Sequence, residues 1–186
     1  KDAATAELAA ANTQLEASYR REQAHRRLSD TLREVSKILS STLDLDLVLN
    51  LILAQLEKVV TFHCASISLL SDNALTIVAQ RDESGQVTSG ETFKIRQYPL
   101  REAVLQSRQP LLVPDVSCDE RWCAAGNMAA IRSLINAPLL VQEYPIGILY
   151  VGRRDETPYT EEEAQTVFAF ANQVAVALEQ VRLHEY

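Results

Sequence analysis

The sequence predicts an α+β domain in which helices pack against one antiparallel sheet. Segments that alternate between apolar and polar residues cluster in the middle of the chain, and helix-favouring segments lie before and after them. Strands that follow one another closely along a chain favour antiparallel pairing. Glycine and proline are scarce, at 5 and 6 of 186 residues, which favours short connections between elements.

The first part of the chain predicts a long helix. From Asp2 to about Ser40 it lacks glycine and proline and is rich in residues that favour helix. Its second half carries apolar residues at coiled-coil spacing, namely Leu28, Leu32, Val35 and Leu39. A helix with so narrow an apolar stripe is marginal by itself. We therefore expect it to pair with a second copy of the chain in a parallel homodimer.

The middle of the chain predicts the elements of the domain. A second helix is expected from Asp44 or Asp46 to about Val60, with an apolar face broad enough to cover a sheet. The alternation and turn residues that follow predict strands over 64–70, 75–80 and 92–96, a helix over 99–107, a short extended segment over 111–113, a loop with one or two helical turns over 115–130, and a hairpin over 132–140 and 146–151 with its turn at 142–145.

The last helix is predicted to begin after Thr160, because an N-cap residue followed by three glutamates suits the positive end of a helix dipole. A second apolar seam follows, formed by Val167, Ala171, Val174, Leu178 and Val181. Both terminal helices are therefore expected to contribute to the homodimer. The predicted organisation is a coiled-coil signalling helix over 1–38, a globular domain over 39–180 and the start of a linker helix over 181–186.

Composition narrows the class of partner. The chain has 25 acidic and 18 basic residues, a net charge of −7, which argues against nucleic acid. No apolar run approaches the about 18 residues of a membrane helix, and no signal-peptide core is present, so no membrane contact is expected. An odd number of cysteines (Cys64, Cys118 and Cys123) fits a reducing compartment. We expect a segment of a longer cytoplasmic protein.

Several motifs stand out when they are taken together. They are LSSTLDLD from Leu39, RSLINAPLL from Arg132, IGILYV from Ile146, YTEEE from Tyr159 and FAFANQVAVALE from Phe168. In this combination they resemble the GAF domain family of sensory modules, over about Leu39 to Glu179. The resemblance implies an antiparallel sheet with the N- and C-terminal helices on one face and pocket-forming helices and loops on the other.

The resemblance also implies a small-molecule pocket roofed by residues 99–107 and 122–131. The candidate pocket residues are Ser66, Ser68, Trp122, Cys123, Asn127, Met128, Ile131, Ser133, Ile135, Ala137 and Tyr150. The strand over 64–70 agrees in part, because its serines alternate with aliphatic residues. That pattern suits a sheet with packed helices on one side and a more polar cavity on the other.

The sequence does not identify the ligand of this pocket. Members that bind cyclic nucleotides carry Asn-Lys, Phe and an acidic pair, where this chain has Gly152-Arg153, Tyr159 and Glu163-Ala164. In members that bind bilins a cysteine precedes an Asn-Met segment, as Cys123 precedes Asn127 here, but without the usual following histidine. His63 is the one histidine within the domain, too few for a haem or metal site. We therefore expect no covalent bilin, haem or metal.

The resemblance implies a sensor module of a multidomain signalling protein, with a sensor histidine kinase or a cyclic-dinucleotide cyclase as the parent. The chain itself lacks a phosphate loop, a nucleophile elbow and a paired-carboxylate motif, so it is not expected to be an enzyme. One alternative is a ligand-free structural spacer whose pocket is filled by Trp122, Met128 and Ile131. A second alternative is a redox-active protein that uses Cys118 or Cys123.

Overall fold

The strands form one sheet of six, described here from a computed structural model. The structure describes residues 45–83, 90–123 and 129–184, with Arg20, Glu22, Gln23 and Arg26 before them, and side chains as far as residue 181. The strands are β1 (Cys64–Ser71), β2 (Ala74–Asp82), β3 (Thr92–Lys94), β4 (Leu111–Val113), β5 (Ser133–Val141) and β6 (Tyr144–Arg153). Their order across the sheet is β3-β2-β1-β6-β5-β4, and every neighbouring pair is antiparallel. The predicted antiparallel α+β architecture is thus confirmed.

The described helices of the domain are α1 (Leu45–Glu57), α2 (Pro99–Ser107) and α3 (Glu161–His184). Single turns of 3₁₀ helix lie at Ile95–Gln97 and Val116–Cys118. The first of these shortens the predicted third strand. The chain leaves the ladder after Lys94, and the Tyr98 amide donates to the Ile95 carbonyl across a turn (2.8 Å).

The N-terminal arm is described at four positions, all of them helical, where Arg26 forms an ion pair with Glu22 (2.6 Å). The spacing of four residues is the one that brings side chains together along a helix. The seam residues Leu28, Leu32, Val35 and Leu39 lie outside the described residues, so the coiled coil stays a prediction.

Two tight turns fix the registers of the hairpins. Asp72 and Asn73 join β1 to β2, and Gln142 and Glu143 join β5 to β6. All four residues have positive φ, between 47° and 70°, as a type I′ turn requires. Asp-Asn suits this conformation, whereas Gln-Glu does not. The turn predicted over 142–145 is two residues shorter in the structure, because the last strand already begins at Tyr144.

One face of the sheet carries the main hydrophobic core. The inward side chains of the central strands, among them Ile67, Ile135 and Leu149, pack with α1 and α3 and are fully buried. Burial of a large aliphatic side chain contributes about 1.5–3 kcal/mol. The helices at the two ends of the domain therefore share one core on the same side of the sheet.

This core corrects the predicted seam on the last helix. Val167, Ala171 and Val174 are completely buried against the domain's own core, and Leu178 packs against its edge. The apolar spacing on α3 thus reflects packing on the sheet rather than a surface for a second copy. The outer side of α3 exposes Asn172 and Val176 instead.

The opposite face of the sheet is covered by α2 and the segment after β4. Leu100 of α2, Leu134 of β5, Tyr150 of β6 and Ile131 are buried there in a smaller cluster. Trp122 packs against this cluster while remaining partly exposed. This side of the sheet holds the candidate site.

Candidate functional site

A narrow cleft lies between α2, the segment after β4 and the sheet. Its empty volume is about 260 Å³, including the part that is open to solvent. The residues that line it are Tyr98, Leu100, Arg101, Arg121, Trp122, Cys123, Asn136 and Tyr150. The cleft is thus on the side of the sheet opposite α1 and α3.

The floor of the cleft follows from the register of the central strands. Asn136 of β5 lies directly opposite Tyr150 of β6, and Ser66 of β1 lies opposite Tyr150 on its other side. Paired residues of neighbouring strands point to the same face of a sheet. Asn136 and Tyr150 therefore face the cleft, and their odd-numbered neighbours Ile135 and Leu149 enter the helix-side core.

Arg101 brings a positive charge into the site. Pro99 occupies the first turn of α2, and Arg101 follows on the side that faces the sheet, only 7% exposed. Its guanidinium lies 4.2 Å from the ring centre of Phe93, 4.9 Å from that of Tyr98 and 5.6 Å from that of Tyr150. Burial lowers the pKa of Arg101, but a guanidinium stays protonated in proteins.

Tyr150 forms part of the floor and part of the wall around Arg101. Its hydroxyl lies 3.9 Å from the Cys64 sulfur, and burial raises its pKa well above the usual value, so the phenol stays neutral. Gly152, two residues along β6, leaves the space for this ring. A Cβ at that position would collide with the Tyr150 hydroxyl and would approach Ile131 Cδ1 at 2.9 Å.

Asn136 presents an unsatisfied acceptor. The residue is only 2% exposed, and its Oδ1 has no hydrogen-bond partner among the described residues. A buried acceptor without a partner costs about 1–3 kcal/mol. The atom is therefore available to a donor that enters the cleft.

The segment after β4 forms the outer wall. Asp115 accepts hydrogen bonds from the amide and hydroxyl of Ser117 (2.9 and 2.7 Å), which caps the short 3₁₀ turn. Asp119 then binds the Arg121 guanidinium through both oxygens (2.9 and 2.7 Å). These local bonds position Trp122 and Cys123 at the mouth of the cleft.

The structure brings together part of the predicted site. Trp122, Cys123 and Tyr150 line the cleft. Ile131 is buried in the cluster beside it. Ser66 and Ser68 are buried on the same face, where they pair with Tyr150 and Ile148 across β6. Asn127 and Met128 lie outside the described residues.

Three predicted floor residues lie on the other face, and the prediction is corrected there. Ile135 and Ala137 belong to the core beneath α1 and α3. The Ser133 hydroxyl donates to the Val113 carbonyl (3.1 Å) and accepts from the Tyr159 amide (3.0 Å). The prediction assigned the wrong set of alternate β5 residues to the cleft, because a shift of one residue along a strand exchanges its two faces.

Arg101, Asn136 and Tyr98 belong to the site although the sequence did not single them out. Arg101 stands three residues before Val104, at the spacing that puts both on one face of a helix, and Val104 is fully buried. Asn136 stands two residues after Leu134 in a strand of alternating faces. Both signals are present in the sequence, but each requires knowing which face of its element is covered.

The family model of the GAF domain matches residues 44–178, so the chain belongs to the GAF domain family. This family comprises small-molecule-binding signalling and regulatory modules in diverse proteins. Among curated proteins, none matches the chain in sequence.

Solved structures share the fold at low sequence identity. The GAF domain of a phosphoenolpyruvate-protein phosphotransferase from Coxiella burnetii is 17% identical, with a TM-score of 0.73, over 86% of this chain and 97% of that one. A methyl-accepting chemotaxis protein fragment is 21% identical, with a TM-score of 0.70, over 80% and 97%. The GAF domain of a two-component sensor histidine kinase from Bacillus halodurans is 19% identical, with a TM-score of 0.65, over 78% and 100%.

Two further properties hold for the described part of the chain. None of its helices is both long and apolar enough to cross a membrane. Within the same residues, no three His, Cys, Asp or Glu side chains converge in a way that could hold a metal ion.

Proposed function

We propose that this domain is a cytoplasmic sensory module that binds a small molecule in the cleft between α2 and the sheet. It relays occupancy through its N-terminal helix, paired in a homodimer, and through its C-terminal helix to an output domain of a sensor histidine kinase or cyclic-dinucleotide cyclase. The chain itself supplies binding and relay, and the catalysis belongs to the output domain. The observation that carries this proposal is the buried polar set of Arg101, Asn136 and Tyr150 at the cleft.

The relay to α3 is supported by hydrogen bonds at the start of β5. The Arg132 carbonyl accepts from Val116 in the outer wall (2.8 Å), and the Arg132 amide donates to the Arg153 carbonyl (2.8 Å). The next residue, Ser133, forms hydrogen bonds with Val113 of β4 and with Tyr159, which precedes α3. A displacement of the outer wall would therefore shift the N-terminus of α3 through these hydrogen bonds. A ligand that prefers one of two arrangements would shift their populations.

Native mass spectrometry of the protein purified without added ligand tests the proposal. A retained small molecule of defined mass is the expected result. Trp122, the single tryptophan, is at the cleft, so adding back the extracted molecule should change its fluorescence. Absence of any retained mass, together with unchanged fluorescence in a metabolite screen, would reject the sensory function.

A specific observation favours a second candidate, the ligand-free structural spacer. Ile131 is buried in the cluster with Leu134 and Tyr150, and Trp122 packs against the same cluster, so the side chains of the domain already occupy much of this face. The same experiment separates the two functions, because a spacer retains no ligand and its Trp122 fluorescence responds to none.

A further inference from the structure

We infer that Cys118 and Cys123 form a reversible disulfide when the protein meets a low-molecular-weight disulfide, and that this bond restrains the outer wall of the cleft. The pair is a redox modification site within the chain itself. The inference therefore goes beyond the proposed function and does not depend on which small molecule the cleft binds.

Two of the three cysteines lie at the surface, which is unusual for this residue. Free cysteine is among the most buried residue types in proteins. Here Cys118 and Cys123 are exposed, whereas Cys64 packs, partly buried, against the cluster beside the cleft. Only four residues separate the two exposed cysteines, so one short segment holds both accessible thiols of the chain.

The four residues between these cysteines form a closed turn. The Trp122 amide donates to the Asp119 carbonyl (2.9 Å), which is the hydrogen bond of a β-turn. The first and last Cα atoms of such a turn lie less than about 7 Å apart. Cys118 and Cys123 are the residues directly outside these two. Residues opposite one another at a chain reversal lie at separations of the same order as the about 4.4–6.8 Å between the Cα atoms of a disulfide.

Side-chain contacts hold the turn before any bond forms. Asp119 Oδ1 accepts from the Arg121 amide (3.0 Å), and the Arg121 guanidinium donates to both oxygens of the same carboxylate (2.9 and 2.7 Å). A preformed turn lowers the entropy that ring closure costs. The second thiol therefore meets the first at a high effective concentration, which favours one internal disulfide over two separate adducts.

The two cysteines differ in how the fold holds them. Cys118 ends the 3₁₀ turn, where its amide donates to the Asp115 carbonyl (3.2 Å). The Val116 amide connects that turn to the carbonyl of Arg132 beside β5 (2.8 Å). Cys123 lines the cleft. A bond between the two sulfurs would thus fasten the mouth of the cleft to a segment that is already hydrogen-bonded to the sheet.

The bond forms by thiol–disulfide exchange, with glutathione disulfide as a suitable oxidant. The thiolate of one cysteine attacks a sulfur of glutathione disulfide, which gives a mixed disulfide and releases one glutathione thiolate. The thiolate of the other cysteine then attacks the protein sulfur and releases the second. Two protein thiols are oxidised, one glutathione disulfide is reduced to two thiols, and the two protons pass to the released thiolates. An excess of reduced glutathione reverses the reaction.

The test treats the folded full chain with glutathione disulfide and identifies the products by mass spectrometry. Trypsin cleaves after Arg121 and so places Cys118 on the peptide 109–121 and Cys123 on the peptide 122–132. The intact chain should lose two hydrogen atoms without retaining glutathione at these cysteines. The two peptides should then be recovered joined, and a reducing agent should separate them.

Matched variants separate this bond from general oxidation. Cys118→Ser and Cys123→Ser should each retain one glutathione at the remaining thiol of the pair. That adduct should persist at least about tenfold longer than the mixed disulfide of the unaltered chain, because no neighbouring thiol displaces it. Cys64→Ala should leave the joined peptides unchanged. Both serine variants replace exposed side chains and are expected to fold.

Amide hydrogen exchange measures the restraint on the outer wall. Exchange over residues 115–123 should slow about tenfold or more in the chain that carries the internal disulfide, because local opening then has to move a closed ring. The glutathione adducts of Cys118→Ser and Cys123→Ser carry oxidised sulfur without the ring. They should exchange at the rate of the reduced chain.

The inference is overturned if both cysteines of the pair retain glutathione, if the product joins two chains, or if the linkage includes Cys64. It is equally overturned if neither Cys118 nor Cys123 reacts. Joined peptides with unchanged amide exchange would refute the restraint on the outer wall.

Discussion

Arg101 and Arg153 are both nearly fully buried, on opposite faces of the sheet, and their surroundings differ. Arg153 binds Glu163 (2.8 Å) and the Thr61 carbonyl (3.0 Å), and it lies over the Tyr159 ring at 4.1 Å. Arg101 contacts three aromatic rings and borders the cleft. Glu163 thus offsets the charge of Arg153, whereas the guanidinium of Arg101 is surrounded by aromatic rings.

Cys64 is expected to react more slowly than the other two cysteines. Burial raises the pKa of its thiol, which lowers the thiolate fraction, while Cys118 and Cys123 are exposed. With an aromatic disulfide reagent at pH 8, two thiols should react quickly and the third at least about tenfold more slowly. The slow phase should disappear in Cys64→Ala. Three equal rates would show that Cys64 is accessible.

The raised pKa of Cys64 also gives stability a defined pH dependence. The folded state holds the thiol proton more tightly than the unfolded chain, whose thiols titrate near about pH 8.5. The free energy of unfolding should therefore fall as the pH rises from the unfolded value towards the folded one. The decline measured by urea denaturation should be shallower in Cys64→Ala.

At the scale of elements, the N-terminus of α3 depends on one glutamate with two tasks. Glu163 Oε2 accepts from the Thr160 amide (2.9 Å) while the Thr160 hydroxyl accepts from the Glu163 amide (3.2 Å), which is a capping box. Glu163 Oε1 also binds Arg153 (2.8 Å). The helix start, the sheet and a buried charge are thereby held together.

Glu163→Gln is expected to lower the free energy of unfolding by about 2–3 kcal/mol, because it leaves the buried Arg153 without its counter-charge. Glu162→Gln removes one charge from the same helical turn at an exposed position, and its effect should stay within about 0.5 kcal/mol. Urea denaturation of both variants measures the difference. Equal losses of unfolding free energy in the two variants would show that these glutamates act through the helix dipole and not through Arg153.

Most elements could be predicted from the sequence because their patterns are local. The alternation from Cys64, the turn at Asp72 and Asn73, and the acidic start of α3 each depend on neighbouring residues. The face of the sheet on which each strand residue lies could not be predicted from neighbouring residues. Ser133 resembles a polar floor residue in the sequence, but it connects β4 to Tyr159, and only the register of β5 against β6 reveals this.

For the whole molecule, the burial of Val167, Ala171 and Val174 limits where a homodimer can form. Pairing of the N-terminal helices through Leu28, Leu32, Val35 and Leu39 remains the prediction from the sequence. We expect the full chain to sediment at twice its own mass. Leu28→Glu combined with Val35→Glu should reduce it to a monomer.

A matched control changes the charge equally at positions outside the seam, by Arg33→Gln combined with Lys37→Gln, and should leave the dimer intact. Analytical ultracentrifugation at several concentrations measures both variants. If the seam variant stays dimeric, the two chains associate through another surface. The exposed apolar residues Leu47 of α1 and Val176 of α3 mark the first surfaces to test.

The order of the strands has a consequence for how the chain reaches this fold. The hairpins β1–β2 and β5–β6 are local, but the centre of the sheet pairs β1 with β6, from opposite ends of the domain. Contacts between distant parts of a chain carry the largest loop-closure entropy. The two hairpins are therefore expected to form first. The pairing of β1 with β6, in which Ile67 lies opposite Leu149, is expected to be the slow step that completes folding.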